Sequence, residues 1–250
     1  MKHKLIKANA NGNNFIIINQ KKIERKFIID ICQKYNTDGF ISLNSSNNNE
    51  IIMDYFNNDA SWETLCINGL TCVGLILNNQ FKKNTFLITC GAKSYKIKIH
   101  NNLIKIEVPE PSYKSKEINV ENYNGFYIDS GAKHFVIEIK NKWPNKSQLL
   151  KHAKKIRYNI KKFPNGINVN FFKMVNAQTI KVQTYEKGVE KLMSSCASGS
   201  YAAAYHFIKT INFNTNITII NNGGTYNIKF GKNCKKNYII NKAKFKIINE

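Results

Sequence analysis

Two short segments restrict what this chain can fold into more than any other feature. Cys66-Ile67-Asn68-Gly69 opens the apolar run from Leu70 to Leu77, and Cys196-Ala197-Ser198-Gly199 opens the small-residue run from Ser200 to Ile208. Each run is apolar or small on most faces, as a helix enclosed by sheet must be. Each follows one strand-like run and precedes another. The pattern reads as an internal duplication, with a cysteine at the start of a central helix in each half.

The rest of the chain fits that plan. Phe15–Asn19, Ile51–Phe56, Phe86–Thr89, Ser94–Ile99, Leu103–Val108, Phe135–Ile139, Thr179–Tyr185, Ile217–Ile220 and Tyr226–Phe230 are short, β-rich and bounded by Asn, Gly or Asp. Phe27, Ile28, Ile31, Cys32 and Tyr35 make one helical stripe. Leu149, Leu150, Ala153 and Ile156 make another, with Ser147 placed to cap it. Val108-Pro-Glu-Pro-Ser112 holds two of the four prolines and suits an interlobe connection. The expected fold is α+β: two pseudo-symmetric lobes, each a β-sheet wrapped around a central helix, with the active site in the cleft between them. Residues 1–113 form the expected N-terminal lobe, completed by a C-terminal strand at 244–250, and residues 114–243 form the C-terminal lobe.

Charge raises another possibility. With 38 Lys and Arg against 16 Asp and Glu, the formal net charge is +22, which suits a polyanion partner. The distribution argues against one. Lysines are spread along the whole chain, and Arg25 and Arg157 are the only arginines, so the residue that reads bases and phosphates bidentately is nearly missing. A solvated lysine-rich surface is the better account, with no nucleic acid as partner. The N-terminus Met1-Lys-His-Lys-Leu-Ile-Lys7 lacks a signal peptide's apolar stretch. No apolar run reaches the roughly 18 residues that cross a bilayer, so the expected location is cytoplasmic, away from membranes. The six cysteines contain no CxxC pair and sit in a chain large enough to do without disulfides. They read as thiols.

A helix N-terminus offers unpaired N–H groups and a partial positive charge. A cysteine placed there is expected to be more acidic than usual, and the N–H groups suit a carboxylate. Two such units facing one α-carbon could run a two-base racemisation, one thiolate removing the proton while the opposite thiol delivers another. A single free cysteine is most often a small buried hydrophobe, and that reading holds for Cys32, Cys72, Cys90 and Cys234. The duplicated context reverses it for Cys66 and Cys196.

Several motifs then resemble one family, the diaminopimelate epimerases, from end to end of the chain. Gly12-Asn13-Asn14-Phe15 resembles Gly-Asn-Asp-Phe, and Phe56-Asn57-Asn58-Asp59-Ala60-Ser61 resembles Phe-Asn-Ala-Asp-Gly-Ser. The two cysteine segments resemble Cys-Gly-Asn-Gly and Cys-Gly-Thr-Gly. Phe163-Pro-Asn-Gly-Ile-Asn168-Val-Asn170-Phe171 is similar to Phe-Pro-x-Gly-x-Asn-Val-Asn-Phe, and Tyr185-Glu-Lys-Gly-Val189 to Tyr-Glu-Arg-Gly-Val. Gly131-Ala132-Lys133-His134 keeps the ends of Gly-Asn-Pro-His, and Gly223-Gly224 follows the family's closing turn.

The resemblance implies Cys66 and Cys196 as catalytic residues, with His134 and Glu186 in support, setting the protonation of the thiols. It implies substrate binding by Asn13, Asn57, Ile67, Asn68, Asn168, Glu186, Lys187, Ala197 and Ser198. It also implies a small amino-acid substrate, a homodimer, and neither metal nor pyridoxal phosphate. Three departures bear on the substrate. Ala132 replaces an asparagine, Lys187 replaces an arginine, and Gly39 stands where some members have glutamine. Lysine keeps the charge but loses the bidentate fork. A cofactor-independent racemase of another amino acid is therefore the first rival, and a basic nucleic-acid-binding protein the second.

Overall fold

A computed structural model describes residues 5–45, 50–210 and 215–248. The chain divides into two units, Met1–Val108 with Ile240–Glu250, and Pro109–Ile239. The first break falls earlier than expected. Tyr113 already pairs with Ile128 in the second unit's sheet, and Tyr201 Oη donates to Pro109 O at 2.9 Å. Positions 249 and 250 of the expected C-terminal strand lie outside the described residues.

In the first unit the strands pair in the order Lys244–Ile248, Leu5–Ala10, Asn13–Asn19, Gly39–Ser45, Ile51–Asn57, Thr85–Cys90, Lys93–His100 and Leu103–Val108. Two of these pairings are parallel, and each needs a crossover that a helix supplies. Helix α1, Arg25–Tyr35, joins Asn13–Asn19 to Gly39–Ser45, and helix α2, Ile67–Phe81, joins Ile51–Asn57 to Thr85–Cys90. Helix α2 touches the first strands and the last ones, so the sheet curls around it. Residues 67–74 of α2 are all buried, and a Cβ at Gly74 would lie 3.1 Å from Ile97 and 3.3 Å from Ile104.

The second unit repeats the scheme. Tyr123–Asp129, Lys133–Glu138, Asn168–Asn176, Thr179–Glu186, Asn216–Asn221 and Gly224–Lys229 pair in that order. The parallel steps are bridged by helix α3, Lys146–Arg157, and helix α4, Ala197–Thr210. Leu149, Ala153 and Ile156 of α3 pack with Phe163, Phe171 and Tyr185 on one face of the sheet. Helix α4 lies against the strands that follow one another on either side of it. Residues 199–208 of α4 are buried throughout.

Two local expectations change. The α3 cap is Asn145, not Ser147: its side chain accepts from Gln148 N at 2.9 Å while Gln148 Oε1 accepts from Asn145 N at 2.9 Å. This reciprocal box satisfies two helix-end donors at once, which a serine inside the first turn cannot do. On α1, Phe27 is 37% exposed, and the buried face is Ile28, Ile31 and Cys32. The abundant asparagines also have backbone work. Asn101, Asn102 and Asn122 turn hairpins at positive φ, where Asn is among the better-tolerated residues.

Candidate active site

Cys66 is the N-cap of α2. It sits in extended backbone (φ −135°), its carbonyl accepts from Leu70 N at 2.9 Å, and its sulfur accepts from Gly69 N at 3.3 Å. Asn68 reaches from the first turn to Asn13, Nδ2 donating to Oδ1 at 2.6 Å, and both are buried. Asn57 ends its strand with both ends of its amide engaged: Oδ1 accepts from Tyr55 Oη at 2.9 Å and Nδ2 donates to Ser61 Oγ at 2.9 Å. Gly39 is hemmed by the same tyrosine, since a Cβ there would lie 2.6 Å from Tyr55 Cε2. The space for a longer side chain is filled by the ring that holds Asn57.

Cys196 occupies the matching place before α4. Its carbonyl accepts from Ser200 N at 2.9 Å, and its sulfur takes hydrogen bonds from the Gly199 N–H and stands 3.4 Å from Ser198 Oγ. Beneath it, neighbouring strands present His134, Asn170 and Thr184. His134 Nε2 is 3.0 Å from Ser198 Oγ, His134 Nδ1 is 2.8 Å from Asn170 Nδ2, and Thr184 Oγ1 donates to Asn170 Oδ1 at 2.7 Å. Ser130 Oγ donates to Ser198 O at 2.8 Å and ties the turn to the strand hairpin.

Glu186 lies close enough to Cys196 for its charge to act on the thiol. Lys187 is exposed, and its backbone N donates to Asn168 Oδ1 at 2.8 Å while Asn168 Nδ2 donates to Lys133 O at 2.9 Å. Asn168 thus pins the Glu186–Lys187 turn to the strand that carries His134. In the first unit Asn13, Ile67 and Asn68 cluster around Cys66. In the second, Glu186, Ala197 and Ser198 surround Cys196, with His134 behind Ser198.

The acidity of Cys196 runs against expectation. Burial pushes its thiol up to about 12, the negative Glu186 acts the same way, and hydrogen bonds with Ser198, Gly199 and Thr184 only partly oppose this. The helix start does supply a donor, but removing the anion from water costs more than one N–H returns. His134 is corrected likewise. Burial holds it down to about 3, so it stays neutral and cannot tune the thiol by titrating near neutral pH. Cys72, buried inside α2, is raised well above its ordinary value by burial, in keeping with a structural thiol.

Asn170, Thr184 and Ser130 were missing from the sequence-level site. Asn170 had a usable signal: it stands two residues from Asn168 in a strand, hence on the same face. Thr184 had none, because only the pairing of Asn170 with Thr184 brings it there.

The build is an α+β chain of two like units that each open a central helix at a thiol, and solved structures share its fold. A hydroxyproline epimerase from Agrobacterium vitis superposes with a TM-score of 0.72 at 11% identity, covering 99% of this chain and 94% of that one. A phenazine biosynthesis protein of the PhzF family from Bacillus anthracis does so at 0.70 and 13%, over 100% of both. No protein-family model matches the chain. Curated relatives do: a diaminopimelate epimerase of Thermotoga maritima is 31% identical over 76% of this chain and 78% of its own length. One from Methanocella arvoryzae is 29% identical over 92% and 90%. The chain belongs to the diaminopimelate epimerase family, and it is an isomerase.

Proposed function

We propose that the protein interconverts LL- and meso-2,6-diaminopimelate without a cofactor, in the route to lysine and peptidoglycan precursors. Cys66 and Cys196 act on opposite faces of the α-carbon. The observation that carries the reading is the repeated cap: two cysteines, each with its carbonyl closing the first helical bond and its sulfur held by the N–H three residues on. A thiolate on one side takes the α-proton, and the electron pair left on carbon takes a proton from the thiol on the other. Cys196, held neutral by burial, enters as the proton donor in one direction and must receive the proton in the other. The first-turn N–H groups at Ile67–Asn68 and Ala197–Ser198 suit the α-carboxylate, whose negative charge grows as the carbanion forms.

Glu186, Lys187, Asn168, Asn13 and Asn57 complete the proposed binding set. Lys187 supplies positive charge for the distal carboxylate. Its exposure and point-charge geometry favour one alternative, a racemase of another amino acid, and substrate comparison separates the two. The test is incubation with LL-diaminopimelate in D₂O under reducing conditions, with α-proton exchange followed by NMR. Exchange with formation of the meso isomer is expected. No exchange overturns the proposal, and exchange of a different amino acid alone selects the alternative.

A further inference from the structure

We propose that Asn170 is the positioning residue that sets the direction of a hydrogen-bond chain running from Thr184 to Cys196. By presenting its amide N–H to His134 Nδ1, it holds the imidazole as the Nε2–H tautomer and aims the Ser198 proton at the sulfur.

The direction follows from donor counting. Thr184 Oγ1 donates to Asn170 Oδ1 at 2.7 Å, which leaves the Nδ2 end of the amide 2.8 Å from His134 Nδ1. An amide nitrogen only donates, so Nδ1 must accept, and a neutral ring then carries its single proton on Nε2. That proton points to Ser198 Oγ, 3.0 Å away, so the serine oxygen accepts and its own proton is left for Cys196 Sγ at 3.4 Å. Asn170, His134 and Ser198 then each give one proton and take one, and the chain of bonds ends at the sulfur.

Packing supports the placement. A Cβ at Gly199 would lie 2.2 Å from Asn170 Oδ1 and 2.7 Å from Thr184 Oγ1. The start of α4 rests directly on the pair, which only a glycine allows. His134, Asn170 and Thr184 are at most 1% exposed, so water does not compete for these donors. When Cys196 loses its proton, the Ser198 O–H and Gly199 N–H stay aimed at the anion. A reversed imidazole would turn the Ser198 proton toward Nε2 and withdraw it.

The inference rests on Cys196 being a proton carrier, but its test needs no substrate. In wild-type protein, ¹⁵N NMR of labelled histidines, with His134 assigned by a His134→Gln variant, is expected to show the Nε2–H tautomer. Asn170→Asp keeps the shape but offers two acceptors, so His134 should switch to Nδ1–H. Alkylation of Cys196 by iodoacetamide, followed by peptide mass spectrometry, should slow by about ten-fold, the worth of one hydrogen bond to a charged sulfur. Adding Ser198→Ala to Asn170→Asp should slow it no further than Ser198→Ala alone. An Nδ1–H tautomer in the wild type overturns the proposal whether or not any variant folds. So does an unchanged tautomer in Asn170→Asp, or additive slowing in the double variant, which would mean that Asp acts on the sulfur by charge. Absence of α-proton exchange with the expected tautomer intact would instead sink the epimerase reading.

Discussion

Behind Cys66 the first unit has an apolar floor, and behind Cys196 the second unit has a polar one. A Cβ at Gly69 would meet Ile41 Cδ1 at 2.9 Å and Met53 Cε at 3.3 Å, whereas at Gly199 it would meet the amide of Asn170 and the hydroxyl of Thr184. The backbone of the two starts is the same, with carbonyl-to-N bonds of 2.9 Å at both. The side chain two residues past each cysteine differs: Asn68 pairs with another amide, Asn13, while Ser198 connects to an imidazole. Duplication therefore preserved the cap, and each unit acquired its own support for the thiol. The second unit, with a buried polar chain, should be the more sensitive to small chemical changes.

The largest expected effect tests whether the units share the chemistry equally. Cys66→Ala and Cys196→Ala should each lower epimerisation by about 10²–10⁴-fold, the usual worth of a positioned acid or base. Cys72→Ala, inside the helix, should cost far less. Initial rates of α-proton exchange would show it, and near wild-type turnover in either single variant would mean that one unit works alone.

Acid should separate the units next. His134 and His206 are the buried histidines of the second unit, held by burial at about 3 and about 4. Their folded values lie below the unfolded 6.5, so below that pH the unfolded chain binds protons that the folded chain refuses. Stability is then complete above about pH 6.5 and declines as the pH falls, by about 1.4 kcal/mol per unit for each group. At pH 5 that amounts to about 2 kcal/mol from each. Hydrogen exchange measured from pH 7 to 5 should accelerate first in residues 109–239, and His206→Gln should remove its share. Earlier opening of residues 5–108 would break the comparison.

Glycine replacement gives a smaller, sharper contrast. Gly199→Ala drives a methyl into Asn170 and should cost about 1–3 kcal/mol in urea unfolding, typical of overpacking. Gly69→Ala meets the mobile ends of Ile41 and Met53 and should cost less than about 1 kcal/mol. Equal costs would show that the two floors yield alike.

The last test concerns Lys187, outside the buried floor of the second unit. Lys187→Ala should raise the Michaelis constant for diaminopimelate by roughly one to two orders of magnitude, from loss of about 1.5–3 kcal/mol in a charged hydrogen bond. Lys187→Arg should be neutral or lower it. An unchanged constant in Lys187→Ala favours a different amino acid as substrate.

Much of this was legible in the residues. Both cysteine-led helices, the α3 stripe and most of the alternating strands carry local signals. Strands such as Leu5–Ala10 and Gly39–Ser45 were not legible, because Leu-Ile-Lys-Ala-Asn-Ala and Gly-Phe-Ile-Ser-Leu-Asn-Ser become strands through partners on both sides. The α3 cap was misplaced by two residues' worth of polar alternatives, Asn145 and Ser147, which only the Gln148 side chain distinguishes.

The sequence by itself determined the duplication, the order of the helices and of most strands, and the position of a thiol at each central helix start. These depend on periodicity and capping within a few residues. The tertiary structure alone decided that Cys196 is a weak acid, that His134 is neutral, and that Asn170 and Thr184 stand beneath them. Proton affinity depends on which groups distant strands bring within about 3 Å and on how much water they exclude. No local pattern of residues contains that information.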